Sequence, residues 1–176
     1  MSPASQGPDV TRPPPVVRDA EERDLPQILA IYNDVILRST AVWTEQPSTL
    51  EERGAWFAAR RASGFPVLVA ARGDEVLGFA SFGEFRAWPG YRHTVEHSIH
   101  VRDGERRKGI GSALLPALVV RARALHKHVL LAGIDGENQA SLAFHRRQGF
   151  TDAGRLREVG HKFGRWIDLV FLQLSL

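Results

Sequence analysis

Glu96 stands inside the run Thr94-Val95-Glu96-His97-Ser98-Ile99. A carboxylate in the middle of an otherwise central strand is expensive to bury unless it is paired or used. Alternation along a strand puts Glu96, Ser98 and His100 on one face and Val95, His97, Ile99 and Val101 on the other. A carboxylate so placed suits general-base work, taking a proton from a reacting group. The structural alternative is a strand acid paired with Arg86 or Arg92. A second group, Arg106-Arg107-Lys108-Gly109-Ile110-Gly111-Ser112, lies between a strand and an amphipathic helix. Its two glycines let backbone approach a ligand, the helix start presents free N–H groups, and three cations flank it, which together suit a pyrophosphate. The spacing is neither the GxxxxGK phosphate loop nor the three-glycine dinucleotide fingerprint. The alternative here is a basic helix start on the surface.

The segment Phe82–Arg92 (FGEFRAWPGYR) interleaves aromatics with two arginines. Such surfaces stack on nucleic-acid bases. Because it runs directly into the Glu96 strand, however, it also suits a substrate pocket, with Arg86 gripping a carboxylate in a bidentate pair while Phe85 and Trp88 form the walls. His145, in the helix after Asn138, titrates near neutrality when unperturbed and suits proton transfer, with a surface or capping histidine as the alternative. His93, His97 and His100 do not read as a metal site. Positions 93 and 97 lie roughly 13 Å apart along a strand, and His100 points away from His97.

The elements that must position these groups follow from length and pattern. A chain of 176 residues is long enough for one domain with a self-sufficient core. Hydrophobic residues at 43% and charged residues at 24% are ordinary globular values. The absence of cysteine excludes disulfides, thiolate metal sites and cysteine nucleophiles. No apolar run reaches the roughly 18 residues of a membrane span, and the first residues do not read as a secretory signal, so the expected location is the cytoplasm. The net charge of +3 leaves open nucleic acid, a membrane surface or an anionic small ligand. Residues 1–15 hold five of the ten prolines and read as a disordered leader; residues 16–176 form a single domain. Within it, Asp24 is expected to cap a first helix broken near Asn33, followed by a short extended piece at Val42–Thr44. Thr49 or Ser48 opens a second helix running to Ala62. Strands follow at 67–71, 76–82 and 94–101, then a helix from Gly109 to about His126 with Pro116 as a misfit. A strand at 129–134, a helix from Asn138 to Gln148, and two closing strands near 152–159 and 166–174 complete the order. This is an α/β chain: a central mixed twisted sheet flanked by helices.

Arg106-x-x-Gly109-x-Gly111 after a strand, with Asn138 opening a later helix and Gly149-Phe150 ending it, resembles the GNAT (Gcn5-related) N-acetyltransferase superfamily. The strings FGEFRAWPGYRHTVEHS, NQASLAFHRRQGF and VGHKFGRWIDLVFLQL narrow the resemblance to its phosphinothricin/methionine sulfoximine acetyltransferase branch. The resemblance implies a GNAT-like acyl-CoA N-acyltransferase fold, acetyl-CoA as acetyl donor, no metal, and a homodimer with no nucleic-acid or membrane partner. It implies Glu96 as base, with His145 in the position where many members carry a tyrosine that protonates the leaving thiolate. Glu84, Phe85, Arg86, Arg92, Thr94, Val95 and Glu96 would line the amino-acid site. Ile99, His100, Val101, Arg106, Arg107, Lys108, Gly109, Ile110, Gly111, Ser112, Asn138 and Ser141 would line the acetyl-CoA site. Trp43 would close the pocket, with Lys162, Phe163 and Trp166 at a dimer interface. The competing functions are a protein or peptide amine acetyltransferase on the same fold, and a non-catalytic CoA- or nucleic-acid-binding module.

Overall fold

Alternating residues along the central strands send side chains to two separate cores. A computed structural model describes residues 13–176; the expected leader lies outside the described residues up to residue 12. The elements are β1 (Val16–Asp19), α1 (Leu25–Arg38), α2 (Leu50–Ala62), β2 (Val67–Arg72), β3 (Glu75–Glu84), β4 (Thr94–Val101), α3 (Ile110–Ala124), β5 (Val129–Asp135), α4 (Gln139–Arg147), β6 (Thr151–Lys162) and β7 (Arg165–Ser175). Leu68, Ala70, Leu77 and Ala80 face α3 and α4, packing with Ile110, Leu114, Leu118 and Leu142. Val67, Val69, Val76 and Phe79 face the other way, onto Ile28 and Ile31 of α1 and Phe57 of α2. Each buried Val, Leu, Ile or Phe among them contributes about 1.5–3 kcal/mol by leaving water. The result is the helix-flanked mixed sheet expected from the sequence. No helix among the described residues is long and apolar enough to cross a membrane.

The sheet runs β1-β2-β3-β4-β5-β7-β6. Its neighbours are antiparallel except β4 and β5, which are parallel. That pair is joined through α3, as a parallel crossover requires.

Three local expectations are revised. Helix α1 is continuous through Asn33. The Asn33 side chain donates to the Ser48 carbonyl and accepts from the Ser48 N–H, both at 2.9 Å, so it does not compete for its own backbone. The Asp24 carboxylate does not cap α1; it pairs with Arg18 at 2.7 and 2.9 Å and accepts from the Glu21 N–H. Val42–Thr44 is a bend rather than an extended piece, held by Trp43 Nε1 donating to the Thr40 carbonyl at 2.9 Å. The second helix starts as expected, with Thr49 and Glu52 forming a reciprocal capping box. Pro116 sits on the exposed side of α3, where water can serve the Ser112 carbonyl that lacks its usual donor.

Lys162, expected at a dimer face, is fully buried within its own chain. Its ammonium donates to the carbonyls of Ile36, Ser39 and Val42 at 2.6, 2.6 and 2.7 Å. The contact closes the end of α1 and ties the β6–β7 hairpin to the bend carrying Trp43. Trp43 in turn lies against Gly160, where a Cβ would stand 2.5 Å from the indole. Phe163 and Trp166 remain exposed. Lys162→Met keeps the volume and removes every donor from the three carbonyls. In urea titration it is expected to lower the unfolding free energy by about 2–4 kcal/mol; a loss below about 0.5 kcal/mol would show that the carbonyls find other donors.

Candidate active site

The parallel pairing of β4 and β5 is short. Thr94 faces Val129, Val95 faces Leu130, Glu96 faces Leu131, and beyond these the strands part. β4 continues to Val101 with β3 alone on its flank, and β5 continues to Asp135 with β7 alone. A cavity of about 520 Å³ occupies the opening. It is lined from both faces of the sheet: Tyr32, Arg53, Trp56 and Arg60 on one side, Asn138, Ser141 and His145 on the other.

Glu96 stands where the strands separate and lines the cavity. A Cβ on Gly133 would come within 2.7 Å of Glu96 Oε1, so the glycine clears the space the carboxylate occupies. Burial pushes the Glu96 carboxyl above its ordinary range, and the charge of Arg86 offsets part of that rise. No ion pair to Glu96 occurs among the described residues. Arg86 stacks on Phe85, its guanidinium 5.0 Å from the ring centre, and Arg92 donates to the Pro89 carbonyl at 3.2 Å. Phe85 packs edge-on against Phe171 at 5.9 Å. Phe171 is the cross-strand partner of Gly133 and lies near the position its Cβ would take. Phe85 therefore shares the face onto which Glu96 projects. Glu84, Arg86 and Arg92 are exposed, and they stand with Thr94 and Val95 outside the cavity lining.

The turn before α3 is built on two left-handed residues. Arg107 and Gly109 are left-handed, at φ 62° and 84°, and Gly109 is the N-cap. Arg106 and Arg107 are exposed, with no ion-pair partner among the described residues, while Lys108 pairs with Glu105 at 3.2 Å. Gly111 has a different reason to be glycine: its Cβ would meet the Phe144 ring at 3.3 Å, so it sets the approach of α3 to α4. Ile110 is buried in the core and Ser112 is exposed. Of the expected acetyl-CoA residues, Ile99, His100, Asn138 and Ser141 line the cavity; Val101 and the turn 106–112 do not.

Three histidines are buried. His145 Nδ1 lies 2.8 Å from the Ser141 carbonyl, which fixes its proton on Nδ1; Nε2 is buried with no partner. The His145 ring stands 5.1 Å from that of His97, and neither His97 nitrogen has a partner. His100 points to the opposite face, against Tyr32 and Phe79. No group of three metal-ligating side chains occurs among the described residues.

Sequence reasoning missed the wall supplied by α1 and α2. Arg53 and Arg60 are seven apart on α2, beside Trp56, and line the cavity with Tyr32. Two cations among aromatics on one helix face were the available signal. Gly133, a lone glycine in an apolar strand, was another, since such a glycine marks a close approach.

The "Acetyltransferase (GNAT) domain" profile matches residues 17–171. A curated L-methionine sulfoximine/L-methionine sulfone acetyltransferase of Pseudomonas paraeruginosa is 53% identical over 161 residues, covering 91% of this chain and 94% of that protein. The crystal structure of a ribosomal-protein-alanine N-acetyltransferase from Brucella melitensis superposes with a TM-score of 0.90 at 49% identity, covering 92% of this chain and 99% of that one. A phosphinothricin acetyltransferase from Sinorhizobium meliloti, in complex with acetyl-CoA, superposes with a TM-score of 0.88 at 37% identity, covering 92% and 88%.

Burial pushes His97 down to about 3 and His100 down to about 4. Their folded values lie below the unfolded 6.5, so the unfolded state takes up protons first and stability falls as pH drops below that value. Nitrogen-15 NMR of the folded protein is expected to show both imidazoles neutral from pH 8 down to about 5. Titration of either near 6.5 would contradict the burial.

Proposed function

The chain belongs to the GNAT acetyltransferase family, and from that premise we propose that it acetylates the α-amine of a small amino acid using acetyl-CoA. The acceptors proposed carry a tetrahedral polar side-chain head: methionine sulfoximine, methionine sulfone or phosphinothricin. The observation that carries this reading is the half-buried Glu96 carboxylate, unpaired among the described residues, at the fork of β4 and β5 and facing the glycine gap at Gly133. The donor fits the fork: the left-handed turn at Arg107 and Gly109 presents the α3 N-terminus to the pyrophosphate, Arg106 supplies charge, and the unpaired inner edges of β4 and β5 face the pantetheine arm. Glu96 takes one proton from the acceptor ammonium and frees the nitrogen lone pair. Nitrogen then bonds to the thioester carbonyl carbon, the C–S bond breaks, and the second proton lost by nitrogen ends on the CoA sulfur. His145, protonated on Nδ1 and with its pKa lowered by burial, offers a lone pair at Nε2. In this reading it accepts a hydrogen bond in the site and is not the acid. Arg86, whose charge reaches Glu96 from the rim, holds the acceptor carboxylate, and Glu84, Phe85, Arg92, Thr94 and Val95 shape that rim. The end of the β6–β7 hairpin, with Phe163 and Trp166 exposed, is the face for a second copy.

A protein N-terminus as acceptor is the second reading, favoured by the Brucella relative. A cavity of about 520 Å³ with Trp43 and Trp56 in its walls suits a free amino acid better. Free-thiol release from acetyl-CoA is expected with methionine sulfone, methionine sulfoximine or phosphinothricin and not with a basic peptide. Release with the peptide alone would overturn the assignment. Glu96→Gln is expected to lower turnover by about 10²–10⁴ while leaving acetyl-CoA affinity unchanged; full activity in that variant would remove the base. Since burial raises the Glu96 pKa, the acid limb of kcat/KM is expected above the ordinary carboxylate range.

A further inference from the structure

The guanidinium groups of Arg53 and Arg60 are the least explained charges in the molecule. Both line the cavity. Arg53 is buried, its guanidinium 3.8 Å over the Tyr32 ring and 4.6 Å over Trp56. A Cβ on Gly83 would collide with the Arg60 guanidinium, so that glycine is its seat. Nε of each is buried with no hydrogen-bond partner. No carboxylate pairs with either among the described residues. Two like charges on one helix face repel each other, and burial without a counter-charge is costly. Desolvation lowers the pKa of both, and Arg53 adds to the effect on Arg60. Tyr32 and Trp56 offset part of that cost for Arg53, and an oxygen-rich group in the cavity would offset more.

The acceptor's own dimensions say which part that is. Its α-carboxylate lies two bonds from the amine that Glu96 deprotonates, about 2.5 Å, whereas the side-chain head lies about 5 Å away along the extended chain. The carboxylate is assigned to Arg86, which stacks on Phe85 on the face onto which Glu96 projects and whose charge reaches Glu96. Arg60 sits instead over Gly83, the β3 partner of Glu96 on the side away from Gly133, and Arg53 lies over Tyr32, which packs against His100.

We propose that Arg53 and Arg60 are the specificity determinants of the acceptor site, donating to the oxygens of a sulfone, sulfoximine or phosphinate head while Tyr32 and Trp56 wall it. This rests on the amino-acid acetyltransferase reading above. An acceptor with a bare thioether or alkyl side chain leaves both guanidinium groups unpaired and is rejected for that reason, as sites built to hydrogen-bond a head reject analogues lacking it.

The test compares kcat/KM for methionine sulfone with that for methionine, which differ only in the two head oxygens. The unmodified enzyme is expected to favour the sulfone. Arg60→Gln is expected to cut that preference by about 10–100-fold, the worth of charge-assisted hydrogen bonds, chiefly through the sulfone term. Gly83→Ala, which displaces the Arg60 guanidinium without removing its charge, is expected to cut it in the same direction. Arg86→Gln is expected to lower both acceptors alike and leave the ratio unchanged. Acetyl-CoA affinity, expected unchanged in all three, shows that the fold is intact. An unmodified enzyme with no preference for the sulfone overturns the proposal, as does an Arg60→Gln ratio equal to that of the unmodified enzyme. Absence of activity on every free amino acid overturns the acceptor reading itself, a different result.

Discussion

Everything in the site depends on how little of β4 and β5 is paired. Three residue pairs hold the strands together, from Thr94–Val129 to Glu96–Leu131, and then the sheet divides. A fully paired sheet would bury Glu96 against β5 with no access for a reactant. A sheet parted along its whole length would lose the side chains that fix the base. The fork leaves backbone donors and acceptors unpaired on both inner edges, in reach of an extended ligand, with the carboxylate at its apex. The glycine at Gly133 belongs to the same constraint, since any larger residue there would collide with Glu96.

The cleft is kept open by contacts that lie far from it in sequence. Lys162 binds three carbonyls at the end of α1 and in the bend that follows. The buried Asp135 accepts from Thr40 in that bend and pairs with Arg165 at 3.5 Å. The Phe163 N–H donates to Glu45 at 2.9 Å. Together these tie the β6–β7 hairpin and the tip of β5 to residues 39–45, and so place Trp43 as a wall. A buried lysine whose hydrogen-bond partners are all carbonyls is costly to desolvate, a cost that Glu45 and the Phe163 ring offset only in part.

Much of the fold was legible in the sequence because the strands and helices carry strong periodicity and clear stops. The order of elements and the start of the second helix followed from residue types alone. What was not legible depended on side chains reaching across sequence. Asn33 satisfies itself on Ser48, so α1 runs on; Asp24 is claimed by Arg18, so it does not cap. In the site, Glu96, Asn138, Ser141 and His145 come together as the motifs implied. Arg53 and Arg60 were hidden because periodicity reads α2 as an ordinary amphipathic helix, and only the packing of α2 over β3 turns its arginines inward. Gly111 shows the reverse case. It was read as room for a ligand, and packing against Phe144 accounts for it.

In the proposed reaction the fork brings donor and acceptor together over Glu96 for direct transfer. The most direct measurement is the initial-rate pattern with acetyl-CoA and methionine sulfone varied together. A chain without cysteine, with one open cleft shared by both reactants, is expected to give double-reciprocal lines that intersect, and no acetylated protein on incubation with acetyl-CoA alone. Parallel lines, with the acetyl group retained on the protein, would contradict direct transfer.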